Sequence, residues 1–343
     1  MTPASMKPLL ARLAGGAPLE RADAEAAFEI IMSGQATPAQ IGAFLMGLRI
    51  RGETVDEIAA AASVIRAKAQ TVQAPPGAID TCGTGGDSSG TYNISTAVAI
   101  VTAACGVPVA KHGNRAVSSK SGSADVLTAL GVNIAADEKL LFKSLHENNL
   151  CFLMAPRHHA AMRHVGPVRE EMGLRTLFNL LGPLANPAGT KRQLLGVFAD
   201  RWVTPLAEVL GLLGAERAWV VHGSDGLDEL TVTGPSSVAE WHRGKVTRFE
   251  VTPEQAGLPR SPIEALKGGD ATHNAAAILR LLSGEKGAYR DVVLLNSAAA
   301  LVVADKASDL TEGVALASGA LDSGRAKACL DRLVAITNQE TVN

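Results

Sequence analysis

From Ala78 onward the 343-residue chain alternates short apolar runs with longer amphipathic ones, and this alternation limits the folds available to it. Strands that alternate with helices usually form a mostly parallel sheet with helices on its faces. The sequence therefore predicts an α/β domain. The expected strands lie near 78–82, 106–110, 150–154, 193–198, 217–222 and 291–295. The expected helices lie near 94–105, 123–130, 137–148, 203–213, 271–283 and 311–322.

The first 70 or so residues predict helices only. Thr37-Pro38-Ala39-Gln40 is a capping box with proline at the first helical position, and Thr54-Val55-Asp56-Glu57 begins a second helix. Residues 158–190 return to a helical pattern interrupted by glycine and proline. We therefore expect a small all-helical domain and a larger α/β domain with a central, mostly parallel sheet. The expected boundaries are 1–73, joined by about 165–190, for the helical domain, and 74–164 with 191–343 for the α/β domain.

Composition argues against several classes of protein. The formal net charge of −2 and an aromatic content of 3% offer neither a basic field nor stacking platforms for nucleic acid. The four cysteines are far apart without CxxC spacing, which argues against structural zinc and for a reducing compartment. Neither a signal peptide nor a membrane-spanning run is evident. We expect a cytoplasmic protein that binds neither nucleic acid nor membrane.

Two loops rich in glycine and hydroxyl groups follow the first two strands of the expected α/β domain. Gly83-Thr84-Gly85-Gly86-Asp87 leads into a helix with Ser95 and Thr96 in its first turn, and the second loop runs from Lys111 to Ser123. Taken alone, the first loop fits a tight turn as well as a phosphate site, and the second fits a solvated basic turn with several helix caps. Loops at successive strand ends of a parallel sheet lie on one edge, where ligands bind. Together they favour an anionic ligand with several phosphates.

An acidic loop follows the strand expected at 217–222. Its adjacent carboxylates, Asp228 and Glu229, repel each other unless a cation offsets them, and Mg²⁺ prefers carboxylate and phosphate oxygens. Alone, the loop reads better as a solvated turn shaped by Asp225. Beside a phosphate site, magnesium binding becomes the better interpretation.

Arg169 is a candidate for carboxylate binding, because its planar guanidinium matches a carboxylate with two hydrogen bonds. The alternative is a surface salt bridge with Glu170 or Glu171. His158 and His159 have no metal-ligand partners at a useful spacing, and no catalytic triad is apparent.

The combined motifs resemble the anthranilate phosphoribosyltransferase family over almost the whole chain. They are GTGGD at Gly83–Asp87, NIST at Asn93–Thr96, KHGNRAVSS at Lys111–Ser119, GSAD at Gly122–Asp125, RTLFNLLGPLANP at Arg175–Pro187 and DGLDEL at Asp225–Leu230. The resemblance implies a class IV phosphoribosyltransferase fold, similar to nucleoside phosphorylases, and a homodimer formed through the helical domain. It implies transfer of phosphoribose from 5-phosphoribosyl 1-diphosphate (PRPP) to anthranilate with Mg²⁺, in tryptophan biosynthesis.

The resemblance also implies roles for individual residues. Ser95, Asp228 and Glu229 would hold magnesium, and Gly83, Asn114 and Arg169 would contact anthranilate. No acid or base is assigned, since catalysis would be electrostatic and positional. The residues expected to bind PRPP are Gly83, Gly86, Asp87, Thr91, Asn93, Ile94, Ser95, Thr96, Lys111, His112, Gly113, Asn114, Arg115, Ala116, Val117, Ser118, Ser119 and Ser123.

Two other functions remain as alternatives. A pyrimidine nucleoside phosphorylase would share the fold, but the intact KHGNR motif and the pair Asp228–Glu229 argue against it. A non-catalytic homologue that binds nucleic acid would need a basic surface stripe, which the net charge does not supply.

Overall fold

The computed structural model describes residues 5–87, 89–116 and 120–340. Four helices open the chain, α1 (Met6–Ala14), α2 (Arg21–Met32), α3 (Pro38–Arg51) and α4 (Val55–Ala67). Helices α3 and α4 begin at the two capping boxes that the sequence predicts, each with its reciprocal hydrogen bonds formed. The remaining helices are α5 (Ile94–Ala104), α6 (Ser123–Ala129), α7 (Glu138–Asn148), α8 (Ala155–His158), α9 (Gly166–Met172), α10 (Phe178–Leu184), α11 (Val203–Leu212), α12 (Ala271–Leu282), α13 (Ala288–Val303), α14 (Leu310–Asp322) and α15 (Arg325–Thr337).

A seven-stranded sheet forms the centre of the molecule, in the order β3-β2-β1-β4-β5-β6-β7. Strands β1 to β5 are parallel to their neighbours, and β6 and β7 are antiparallel. The mostly parallel sheet is thus confirmed. The strands are β1 (Ile79–Gly83), β2 (Val109–Gly113), β3 (Leu150–Met154), β4 (Arg192–Gly196), β5 (Arg217–Gly223), β6 (Ser236–His242) and β7 (Lys245–Val251).

The predicted helices agree with the structure to within a residue or so at each end, but two strand assignments do not. Strand β2 begins at Val109, three residues later than expected, because Gly106 with φ of 86° and Pro108 belong to the preceding turn. The strand expected at 291–295 is wrong, since Asp291–Leu295 lies inside α13. Most of α13 is buried around its whole circumference, so its apolar residues show no helical period, and the short apolar run at 291–295 resembles a buried strand in sequence.

The hairpin β6–β7 is absent from the sequence prediction. Arg243 and Gly244 connect its strands, and both have positive φ, 51° and 79°, as a two-residue hairpin turn requires. Strand β7 has exposed polar residues at Lys245, Thr247 and Arg248, so its sequence lacks the clear alternation of apolar and polar residues that would predict a strand.

Alternate residues of β4 and β5 enter two different cores. Leu194 and Val221 face the core built with α5 and α13, whereas Leu195 and Val220 face a second core. That second core contains side chains of α2, α3 and α4 together with residues of α9, α10 and α11. The period of two along a strand therefore positions the N-terminal helices on one face of the sheet. None of the helices in the described ranges combines the length and apolarity needed to span a bilayer.

Candidate functional site

Three loops meet at the carboxyl edge of the sheet. They follow Gly83 at the end of β1, Gly113 at the end of β2 and Gly223 at the end of β5. Strands β1 and β2 are parallel neighbours, so the first two loops lie side by side as the sequence predicts. The common direction of parallel strands is what brings loops from distant sequence positions together.

The acidic loop packs directly onto two strand-end glycines. A Cβ atom added at Gly196 would lie 1.5 Å from the Asp228 carbonyl oxygen, and one at Gly83 would lie 2.3 Å from Asp228 Oδ2. The same carboxylate accepts a hydrogen bond of 2.7 Å from the Gly85 amide. Asp228 is therefore held against the glycine loop by contacts that only glycine permits.

The two adjacent carboxylates have strongly perturbed acidities. Burial, and then the charge of Asp87, raise the pKa of Asp228 to about 7, although the Gly85 amide opposes this. Burial and the Asp228 charge raise the pKa of Glu229 well above its usual value, with Lys111 acting in the opposite direction. Three carboxylates thus face one ammonium group, an imbalance that a divalent cation would correct.

Lys111 links the second loop to the first helix of the α/β region. Its buried ammonium group donates to the Thr81 carbonyl at 2.6 Å and to Ser95 Oγ at 3.2 Å. Ser95 therefore lies within reach of both Lys111 and the acid pair, since its backbone amide acts on the Glu229 carboxylate. Ser95 thus brings a hydroxyl group into the neighbourhood of the two carboxylates, Asp228 and Glu229.

Asp125 organises the second loop, a role that the sequence prediction missed. Its carboxylate accepts from the Ala116 and Gly122 amides at 2.9 and 3.0 Å and pairs with Arg115 at 2.9 Å. Burial would raise the pKa of Asp125, but these hydrogen bonds outweigh it and lower the pKa. An acid in the first turn of α6, within the GSAD motif, was the available signal.

The other residues expected to bind PRPP are distributed over the two loops. Gly113 closely contacts Ser123, since an added Cβ would lie 2.3 Å from Ser123 Oγ. The exposed Asn114 accepts a backbone hydrogen bond from Ala124, and Ile94 and Thr96 are buried in the first turn of α5. Predicted site residues Val117, Ser118 and Ser119 lie outside the described residues.

His112 is buried beside His159, with ring centroids 5.1 Å apart. Burial, followed by the neighbouring histidines, lowers the pKa of His112 to about 3, and burial with His158 lowers that of His159 to about 4. Both rings are therefore neutral at pH 7.

Arg169 lies on α9, next to Phe178. Its guanidinium is 5.3 Å from the centre of the Phe178 ring, and burial lowers its pKa. Among the described residues Arg169 forms no ion pair with Glu170 or Glu171 and packs on Phe178 instead, which disfavours the surface salt bridge considered above. Nor does any described contact join Arg169 to Gly83 or Asn114.

Arg175 and Asp80 are two further residues that sequence reasoning missed. Arg175 donates to the Gly86 carbonyl and lies 4.9 Å above the Phe198 ring, so it ties the segment before α10 to the glycine loop. Buried Asp80 accepts from the His112 amide at 3.2 Å and from Asn186 Nδ2 at 2.7 Å. Burial raises the pKa of Asp80 to about 6.

Comparison with known proteins gives consistent matches over almost the whole chain. The helical bundle domain of a glycosyl transferase family matches residues 7–69, and the a/b domain of the same family matches residues 75–327. An anthranilate phosphoribosyltransferase of Paramagnetospirillum magneticum is 64% identical over 99% of this chain and 98% of its own length. The chain belongs to the anthranilate phosphoribosyltransferase family.

Solved structures of anthranilate phosphoribosyltransferases have the same fold. That of Thermus thermophilus gives a TM-score of 0.91 at 46% identity, over 96% of this chain and 99% of that one. That of Saccharomyces cerevisiae, in complex with PRPP and Mg, gives 0.89 at 27% identity, over 97% of each chain. A helical domain followed by an α/β domain is therefore a property that the chain shares with its family.

Proposed function

We propose that this chain transfers the phosphoribosyl group of PRPP to the amine of anthranilate, giving N-(5-phosphoribosyl)anthranilate and pyrophosphate in tryptophan biosynthesis. The observation that carries the proposal is the meeting of both phosphate loops with the acid pair Asp228–Glu229 at one sheet edge. Neither alternative function gains support from the relatives, which carry the anthranilate phosphoribosyltransferase name.

The proposed PRPP site is the edge formed by the two loops. Residues of the first loop and the first turn of α5 would face the diphosphate, and Lys111 with the second loop would supply positive charge and N–H donors. Ser95, Asp228 and Glu229 would hold Mg²⁺, in agreement with the oxygen character of the donors and the raised pKa values of the two acids. Bound Mg²⁺ would neutralise charge on the leaving diphosphate.

The chemistry follows from the bond that breaks. Cleavage of the anomeric C–O bond places negative charge on the diphosphate and makes the ribose resemble an oxocarbenium ion. Preorganised loop amides and Lys111 stabilise the leaving charge without having to reorganise, which is electrostatic catalysis. The anthranilate amine is already a neutral nucleophile, so the residues around it need to orient it more than activate it.

Anthranilate is proposed to bind near Gly83, Asn114 and Arg169. The guanidinium of Arg169, which lies over the Phe178 ring and has no acidic partner among the described residues, would pair with the anthranilate carboxylate.

We also propose a cytoplasmic homodimer formed through the helical domain. The domain boundaries proposed are 1–73, joined by about 165–190, for that domain, and 74–164 with 191–343 for the α/β domain. The core shared by α2–α4, α9 and α10 agrees with the joining segment.

The reaction can be followed directly by the loss of anthranilate fluorescence after addition of PRPP and Mg²⁺. We expect fluorescence to fall only when the protein and both additions are present. A constant signal, or phosphorolysis of a pyrimidine nucleoside with inorganic phosphate instead, would reject the proposed function.

The metal assignment has its own test in the same assay. Asp228→Asn combined with Glu229→Gln removes the carboxylate charges at the site, so the Mg²⁺ concentration for half-maximal rate should rise at least about tenfold. Glu250→Gln, which neutralises an exposed carboxylate on β7, is the control and should leave the titration unchanged. An unchanged Mg²⁺ titration of the double variant would exclude the acid pair as the metal site.

A further inference from the structure

A segment at residues 266–274, here named the strap, pairs with residues 90–92, which connect the glycine loop Gly83–Asp87 to α5. The Tyr92 amide donates to the Leu266 carbonyl at 3.1 Å, and the Gly268 amide donates to the Gly90 carbonyl at 2.9 Å. These contacts form a short antiparallel pairing between Thr91 and Lys267. The strap continues into the start of α12, where Asn274 contacts Asn93, a residue 181 positions earlier in the chain.

Asn274, at the end of the strap, uses both ends of its amide. Its Oδ1 accepts from the Gly269 amide at 2.8 Å, and its Nδ2 donates to Asn93 Oδ1 at 2.8 Å. The residue is 2% exposed, so neither hydrogen bond competes much with water. Buried and satisfied at both ends, Asn274 has a single orientation.

Asn93 occupies the N-cap position of α5 but does not cap it. An asparagine at this position usually accepts a hydrogen bond from an N–H group of the first turn. Here its Oδ1 is engaged by Asn274 and its Nδ2 donates to the Ser121 carbonyl at 3.2 Å, so no side-chain cap forms. The Ser95 N–H faces the Glu229 carboxylate instead.

We propose that Asn274 is a positioning residue for PRPP binding, because it holds the Asn93 amide away from its own helix and so leaves the Thr96 N–H of the first turn for the ligand. The other two donors of that turn are engaged, since the Ile94 amide donates to the Tyr92 carbonyl at 2.9 Å and the Ser95 amide acts on the Glu229 carboxylate. Without Asn274, the Asn93 amide can rotate and cap α5 at Thr96, so the ligand would lose that donor while the helix keeps its stability. The same Asn93 amide also joins the strap to the second loop through Ser121. This inference rests on the proposed function, since it assumes that PRPP binds at this edge.

The first test compares two variants of Asn274 with a matched control. Asn274→Ala and Asn274→Asp should each raise the KM for PRPP about tenfold and change the KM for anthranilate by less than about twofold. Asn148→Ala is the control, because Asn148 is also buried and donates one hydrogen bond, to the Cys329 carbonyl at 2.9 Å, outside the site. It should reduce the melting temperature without changing either KM. An equal rise in both KM values for the Asn274 variants would overturn the proposal.

A double-mutant cycle with Asn93 separates positioning from general loosening. If Asn274 acts through Asn93, adding Asn274→Ala to Asn93→Ala should change the KM for PRPP by less than about twofold. Independent, multiplicative effects of the two substitutions would overturn the proposal. Should Asn274→Ala fail to fold, Asn274→Ser takes its place in the cycle, since it removes the same amide donor with a smaller loss of polarity.

Calorimetric titration of PRPP with Mg²⁺ distinguishes failure of the inference from failure of the proposed function. Wild-type protein that binds PRPP about tenfold more tightly than Asn274→Ala supports the inference even if anthranilate is not converted. Equal affinities of the two proteins reject the inference while leaving the proposed function intact. Wild-type protein that binds no PRPP overturns both.

Discussion

The proposed role of Arg169 depends on a single contact, between its guanidinium and the carboxylate of anthranilate. Arg169→Ala should raise the KM for anthranilate by at least about tenfold, while the KM for PRPP stays nearly constant. The reason is that a charge-assisted pair contributes about 1.5–3 kcal/mol, and PRPP makes no use of this one. Steady-state kinetics with each substrate varied in turn provide the measurement.

The control for this variant is Arg163→Ala, an exposed arginine in the neighbouring 3₁₀ turn. It should leave both KM values unchanged. Similar increases in the two KM values of Arg169→Ala would remove Arg169 from the carboxylate site.

Gly196 leaves no room for a larger side chain beside the acidic loop. Gly196→Ala places a Cβ atom 1.5 Å from the Asp228 carbonyl oxygen, so the acidic loop must move. We expect kcat/KM to fall at least about 100-fold, because a displacement of about 1 Å at a catalytic constellation is that costly. Gly319→Ala, at an exposed position of α14 where an added Cβ meets only Arg325 at 3.9 Å, should instead stabilise the protein by about 0.5–1 kcal/mol. Full activity of Gly196→Ala would show that the loop position is not required.

What the sequence could predict for single residues was residue type near a strand end. Gly83, Lys111 and Gly113 lie in the last residues of their strands, and the acid pair comes a few residues after β5, so local order sufficed to group them. Asp80 and Asn274 could not be found in this way, because their importance lies in hydrogen bonds to Asn186 and Asn93, residues distant in sequence.

Among the secondary-structure elements, hydrophobic periodicity identified the amphipathic helices and strands and failed for elements that are buried on all sides or exposed at the sheet edge. Helix α13 is buried on nearly all sides, so the run at 291–295 carries no helical period to detect. The hairpin β6–β7 lies at the edge of the sheet, where exposed polar residues weaken the alternating pattern. Both errors arise because tertiary burial, rather than local preference, decides the outcome.

The segment preceding α10 holds the glycine loop through Arg175, and this contact yields a prediction for an element. Arg175→Ala removes the hydrogen bond to Gly86 and the contact with Phe198, so the loop becomes freer before ligand binds. The KM for PRPP should rise about three- to tenfold, and amide exchange in residues 84–87 should accelerate. Arg201→Ala, which removes a comparable arginine–aromatic contact at Trp202, is the control. Unchanged exchange in the loop would show that Arg175 does not restrain it.

At the scale of the molecule, the sheet carries a different set of helices on each face, and the segment after α8 packs its histidine against the sheet. His112 lies in β2, and His159 directly follows α8. Protonation of either ring would place a charge in this buried junction. The folded protein therefore resists binding those protons, and its stability must depend on pH.

The sign and size of this dependence follow from the lowered pKa of His159, about 4 against 6.5 in an unfolded chain. Between these values the unfolded state binds more protons, so the stabilisation is complete above pH 6.5 and is lost as pH falls toward 4. Asp80, with its raised pKa of about 6, changes stability in the opposite direction over pH 4–6. Only a comparison with a variant that lacks His159 can isolate the histidine contribution.

His159→Gln keeps a polar side chain but cannot take up the proton. Between pH 7.5 and pH 5, wild-type protein should lose about 2 kcal/mol more unfolding free energy than this variant, at about 1.36 kcal/mol per pKa unit. Urea unfolding at the two pH values provides the measurement, on condition that the slope of unfolding free energy against urea concentration is similar for the two proteins. His146→Gln, an exposed histidine on α7, is the control and should follow wild type. If wild type and His159→Gln lost the same free energy, His159 would have to be protonated at least as readily in the folded protein as in the unfolded chain.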